Sequence, residues 1–174
     1  MAGKPHIRQW YLTLGMALVS SVWLTQKPLF SPHPLVLWNA SESIPVGLYW
    51  VENRQPKISE IAVLKPPSWA QMIAENREYL PSTAWLLKPV VATQNGVVCR
   101  FGRRIYVDGK LVARTLATDR NGRPMPVWMG CKVLKNDQLF LLSKRRDSFD
   151  SRYFGAVETA LVIGTAKPLF IFGK

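Results

Sequence analysis

Beyond residue 35, turn dipeptides cut the chain into apolar runs too short to be helices, and this punctuation restricts the fold more than any other sequence feature. Asp108-Gly109 separates Arg104–Val107 from Lys110–Ala113. An Asp-Gly pair accepts the left-handed backbone of a two-residue hairpin turn, and here it stands between two β-prone runs. Asn95-Gly96 separates Leu86–Ala92 from Val97–Arg100 and predicts a second hairpin, and Asn121-Gly122 marks a further turn. Similar short runs lie at Gly47–Val51, Ile61–Leu64, Gln138–Leu142 and Ala160–Gly164. This pattern predicts a mainly β, antiparallel domain. One short helix is expected within it. Ser68 and Gln71 have capping-box spacing, Trp69, Met72, Ile73 and Leu80 follow as an apolar stripe, and Pro81 stops the run. The stripe is expected to cover the core; a helix lying on a membrane is the alternative.

A different signal precedes the domain. Trp10–Leu24 carries no charge and is preceded by Lys4 and Arg8. With its polar flanks the segment approaches the ~20 residues that cross a bilayer. We read a basic tail at 1–8, one transmembrane signal anchor at 9–26, a proline-containing linker at 27–34 and a folded domain at 35–174. A removed secretory signal and a buried core helix are the alternatives, and Val19-Ser20-Ser21 matches a cleavage site only marginally. Basic residues hold the N-terminus in the cytoplasm and send the domain across the membrane. The formal charge of +12 implies an anionic partner or an anionic surface. Behind an anchor, the expected surface is anionic lipid. Arg100, Arg103, Arg104, Lys144, Arg145 and Arg146 raise a nucleic-acid reading. Export and the absence of a DNA-binding motif weigh against it, so no nucleic-acid partner is expected.

The chain has two histidines, His6 beside the apolar segment and His33 in the linker, which makes a Ser-His-Asp triad improbable. A neutral amine can activate a serine instead. Lys88 is the best-placed amine, because strand alternation puts it on a face with Leu86, Val90 and Ala92. Desolvation there lowers a lysine pKa toward the useful range. The competing account is a lysine that snorkels to water. Ser43, ahead of Ile44-Pro45, is the candidate nucleophile. Ser41 points the same way in an extended segment and can donate to an oxyanion beside a backbone N–H. Ser148 can aim the lysine, and Asp150 and Arg152 can pair to stiffen their loop. Cys99 and Cys131 are the two cysteines. In an oxidising compartment they suggest one disulfide, with two separate buried thiols as the alternative. Their spacing matches no metal signature, so neither metal nor cofactor is expected.

Three blocks, S-E-S-I-P-V-G-L-Y from Ser41, L-L-K-P-V-V from Leu86 and S-F-D-S-R-Y-F-G-A-V from Ser148, resemble the signal-peptidase family of Ser/Lys membrane proteases. With Asn39-Ala40 at the start and G-R-P-M-P-V-W-M-G-C from Gly122, they are most similar to its conjugative-transfer branch, the TraF-type peptidases. The resemblance implies a catalytic domain of two antiparallel sheets in the periplasm, anchored once in the bacterial inner membrane. It implies Ser43 as nucleophile, Lys88 as general base, Ser41 in the oxyanion hole, and Ser148, Asp150 and Arg152 in support. The substrate it implies is a pilin precursor or similar exported protein, within a conjugative secretion apparatus, with ring closure of the product in some members. Pro89 after the lysine, Ile44 after the serine and Ala92-Thr93-Gln94-Asn95-Gly96 at the turn depart from ordinary leader peptidases. A general leader peptidase and a non-catalytic basic component of a secretion channel are the rival readings.

Overall fold

The computed structural model describes residues 34–81 and 83–172. The basic tail, the proposed anchor and nearly all of the linker lie outside them. Among the described residues no helix is long and apolar enough to cross a membrane.

From Leu35 onward the chain forms one compact unit. Its strands are β1 (Val36–Asn39), β2 (Gly47–Glu52), β3 (Ile61–Leu64), β4 (Leu86–Ala92), β5 (Val97–Phe101), β6 (Arg104–Val107), β7 (Lys110–Arg114), β8 (Gly130–Val133), β9 (Gln138–Leu141), β10 (Val157–Glu158) and β11 (Val162–Ile171). The helices are α1 (Ser68–Asn76), α2 (Ser151–Phe154) and a 3-10 turn at Thr159–Leu161. A seven-stranded sheet runs β1-β2-β11-β3-β4-β9-β10 and a four-stranded sheet runs β7-β6-β5-β8. Every strand pairing is antiparallel.

The two sheets share apolar packing. Val98, Ile105 and Val107 of the small sheet meet Ala92, Phe140 and Leu142 of the large one. A second cluster joins Leu64, Ala70, Leu86, Val90, Leu141 and Phe154 around the residues that flank Lys88. Burying side chains of this size removes about 1.5–3 kcal/mol of unfavourable hydration each, which fixes the strand register against slippage.

The Asp108-Gly109 hairpin forms as expected, with φ of 47° and 77° at its two central residues. Asn95-Gly96 does not join paired strands. β4 and β5 belong to different sheets, and the turn passes the chain between them, held by Asn95 N–H donating to Leu134 O and Leu134 N–H to Gly96 O. The expected run at Ala160–Gly164 is the start of a much longer strand. Pro168 interrupts its sequence pattern, yet β11 continues to Ile171. Its pairing with β3 ends at Ala166, so Pro168 sits where only β2 pairs with the strand.

Helix α1 departs from its expected cap and face. Pro67 occupies the N-cap position, no side chain caps the first turn, and Ser68 is already helical. The Pro67 carbonyl accepts from Ala70 and Gln71 N–H. Ala70 and Ala74, one turn apart, face the core, while Trp69 and Met72 are exposed at 44% and 60%. Small residues let the helix lie close to the core, Trp69 and Met72 point outward, Ile73 is half-buried, and Leu80, beyond the helix, packs against the core as expected. The helix stops before Leu80. Glu78, at φ 57°, turns the chain so that its N–H reaches Glu75 O and Tyr79 N–H reaches Ala74 O.

Cys99 and Cys131 face each other across β5 and β8 and form a disulfide, with Cα atoms 4.0 Å apart. The 32-residue separation encloses β6, β7 and the long β7–β8 loop. Replacing both cysteines by alanine is expected to cost about 3–4 kcal/mol. Urea unfolding of oxidised wild type and the double variant measures this, and equal midpoints would contradict it.

Candidate active site

Ser43 lies on the loop between β1 and β2, whose ends are Asn39 paired with Gly47. Asn39 is buried and organises this loop. Its Nδ2 donates to the carbonyls of Ser41 at 2.7 Å, Ile44 at 3.3 Å and Pro45 at 3.1 Å, and its Oδ1 accepts from Ser41 N–H at 3.2 Å. Tyr49 Oη donates to Pro45 O at 2.7 Å, and Phe172 N–H to Val46 O at 2.8 Å. At Gly47 the β11 backbone comes so near that a Cβ would lie 2.1 Å from Phe170 O, so only glycine fits. Ser143 Oγ donates to the Ser43 carbonyl, tying the loop to the end of β9. Ser41 Oγ donates to Ser43 Oγ at 2.9 Å and accepts from Ser43 N–H at 3.2 Å. The two serines therefore share a side, as their spacing predicts.

Lys88 projects from β4, one strand in from β9, and pairs in register with Ala62. It is 4% exposed, so the snorkelling account fails. Burial pushes its pKa from 10.5 down to about 8; the Asp150 carboxylate nearby pulls against that shift, and the Arg152 guanidinium reinforces it. Its Nζ donates to Ser148 Oγ at 2.7 Å. Lys88 and Ser43 line one cleft of about 660 Å³ together with Ser41 and Ser148. In this state the Lys88 amine meets Ser148, and the Ser43 hydroxyl meets Ser41.

Asp150 and Arg152 form the expected pair and are almost fully buried. Arg152 Nε donates to Asp150 Oδ1 at 2.7 Å, and an Arg152 terminal nitrogen donates to Oδ2 at 3.0 Å. Asp150 also caps α2 by accepting from Arg152 N–H, and it accepts from Ser143 N–H at 3.0 Å. Arg152 donates in addition to the carbonyls of Ser143 and Arg146. The pair thus clamps both ends of the segment that presents Ser148.

Arg100 leaves the basic surface proposed from the sequence. It is 2% exposed and donates to the carbonyls of Gly102, Pro126 and Arg152. Arg145 forms ion pairs with Glu42 and Asp147. The far wall of the cleft consists of residues 77–80 and the loop 116–125. Asp119 fastens these together, accepting from Tyr79 Oη at 2.5 Å and Arg123 Nε at 2.6 Å. Arg77 donates to Pro124 O, and Arg123 to Arg77 O.

Sequence reasoning did not assign Asn39, Ser143 or this clasp. Asn39 stands at the edge of the nucleophile block and carries a signal in retrospect, because a buried asparagine before a short loop commonly bonds the loop backbone. Ser143 carries none, since its partner lies 100 residues away. Asn39→Ala leaves up to four loop groups without their partner. It is expected to cost about 1–3 kcal/mol in thermal or urea unfolding, and a variant as stable as wild type would refute that role.

A serine on a fixed loop and a desolvated amine in one cleft are the equipment of a hydrolase that works without histidine. The chain belongs to the signal peptidase family, peptidase S26, whose model matches residues 7–171. Within it the chain is similar to the conjugal transfer protein TraF of Agrobacterium fabrum, with 35% identity over 145 residues, covering 77% of this chain and 81% of that one. The plasmid transfer protein TraF of Escherichia coli is 29% identical over 142 residues, covering 75% and 80%. A solved signal peptidase I from Enterococcus faecalis superposes with a TM-score of 0.38 at 16% identity, covering 66% of this chain and 98% of that one, a likeness too distant to bear on the site.

Proposed function

We propose that the chain is a membrane-anchored serine endopeptidase that uses Ser43 as nucleophile and Lys88 as general base. Its substrate in this reading is a pilin precursor or similar exported protein of a conjugative transfer system. The catalytic domain faces the periplasm from the bacterial inner membrane. The observation that carries the chemistry is the buried Lys88, depressed toward pH 8 in the cleft that holds Ser43. At pH 7 such an amine is neutral in roughly one molecule in ten, against about one in two thousand for an ordinary lysine.

Neutral Nζ takes the Ser43 proton, and Oγ attacks the scissile carbonyl. Substrate entry redirects Ser43 N–H and Ser41 Oγ from each other toward the developing oxyanion. The lysine ammonium, steadied by Ser148, then protonates the leaving amine. The remaining ester is resolved either by water, giving a free carboxylate, or by an amine of the substrate, giving an amide and, within one chain, a ring. The similarity to TraF proteins supports the conjugative setting. The basic composition suits anionic lipid headgroups.

Mass spectrometry of pilin products from cells carrying wild type or Ser43→Ala tests the reading and reports the scissile bond and the fate of the new end. Normal processing with Ser43→Ala would overturn it. A parallel precursor with an ordinary leader separates it from a general leader peptidase. Conjugative transfer that persists with Ser43→Ala would favour a non-catalytic channel component. The pH dependence of kcat/KM is expected to rise with a midpoint near 8, because activity needs the neutral form of Lys88. A profile flat between pH 6 and 10 would contradict the general-base role.

A further inference from the structure

We infer that Arg120 is a specificity-determining residue that selects substrates carrying an acidic side chain close to the scissile bond. The inference rests on the peptidase reading above and adds a substrate feature to it.

Arginines Arg77, Arg120, Arg123 and Arg145 line the cleft. Three of them are occupied. Arg77 and Arg123 hold the far wall through Asp119 and the backbone. Arg145 joins Glu42 of the serine loop to Asp147. Arg120 differs. Its side chain is 79% exposed, and it donates a single bond, 2.6 Å long, to Asp147 Oδ2. Asp147 is already shared with Arg145, which also donates to Oδ2, at 3.4 Å.

The backbone position of Arg120 is fixed even though its exposed guanidinium is held by one bond alone. It follows Asp119, which accepts from Tyr79 Oη, from Arg123 and from the backbone N–H of Asn121. The Asn121-Gly122 turn is closed by Gly122 N–H donating to Asp119 O and Asp119 N–H to Arg123 O. Arg120 therefore reaches from a rigid wall across the cleft to the residue preceding Ser148. This bridge lines the same cleft as Ser43, and Arg145 connects it to Glu42, the neighbour of Ser43.

An exposed, monodentate ion pair contributes little. A substrate carboxylate can meet the guanidinium with two parallel bonds and gains more once the peptide has excluded water. Asp147 keeps Arg145 as its partner when Arg120 swings away, so the exchange leaves no carboxylate unpaired. A lysine at the same substrate position would face Arg120 as a like charge.

The test uses detergent-solubilised full-length chain and a library of proteome-derived peptides, with cleavage sites read by mass spectrometry. Wild type, Arg120→Gln and Arg120→Glu are compared, with Ser43→Ala defining the background. Wild-type cleavage sites are expected to be enriched about tenfold in Asp or Glu at one fixed position near the cut. Arg120→Gln loses the enrichment, and Arg120→Glu turns it toward Lys or Arg. Identical residue distributions in the three proteins would overturn this inference and leave the peptidase reading intact. No Ser43-dependent cleavage by wild type would overturn the peptidase reading and this inference together.

Discussion

Lys88→Arg is expected to reduce kcat/KM on a cleavable precursor by on the order of 10²–10⁴-fold. A guanidinium keeps its charge at any pH the domain tolerates and cannot accept the Ser43 proton. Turnover close to wild type would end the general-base assignment. Lys88→Met should be equally inactive, yet more stable. The folded-state pKa lies below the ordinary value of 10.5, at about 8, so below pH 8 the folded protein bears the full cost of a buried ammonium. That difference is worth about 3 kcal/mol, less whatever Ser148 loses with its donor. Between pH 8 and 10.5 the unfolded chain binds more protons at this site than the folded one. Wild-type stability should therefore rise with pH across that window. The methionine variant should lack the rise. Denaturant melts at pH 7 and pH 10 separate the two behaviours.

Asp150→Asn is expected to destabilise the domain by about 3–5 kcal/mol, a large part of an ordinary stability of about 5–15 kcal/mol. The substitution leaves the Arg152 charge at 2% exposure without its counter-ion. It also removes an acceptor from Arg152 Nε, Arg152 N–H or Ser143 N–H. A double variant, Asp150→Asn with Arg152→Met, should recover part of the loss, since no buried charge then remains. Equal stability of Asp150→Asn and wild type would show the pair to be dispensable. Activity should fall along with stability, because the same two side chains hold the segment carrying Ser148.

Local chemistry was legible wherever it was self-contained. Ile61–Leu64 and the Asp108-Gly109 hairpin depend on nearest neighbours, and both stand where the pattern put them. Pairings decided by tertiary context were not legible. Asn95-Gly96 has hairpin chemistry, but the strands it separates find better partners in different sheets. The α1 stripe looked apolar enough to be core, yet the close approach of Ala70 and Ala74 determined its face. Arg100 looked like surface charge because a sequence does not reveal three backbone carbonyls converging on one guanidinium. Of the candidate site, Ser43, Lys88, Ser41 and Ser148 could be named from spacing and resemblance. The supports that fix their geometry act over long sequence distances.

The last strand in chain order, β11, lies between the second and third strands of the large sheet. Until it inserts, β2 and β3 have no common neighbour, and the loop bearing Ser43 lacks the backbone that closes over Gly47. A chain that folds as it lengthens would thus leave the large sheet divided, and the Ser43 loop without its final support, until residues 162–171 are in place.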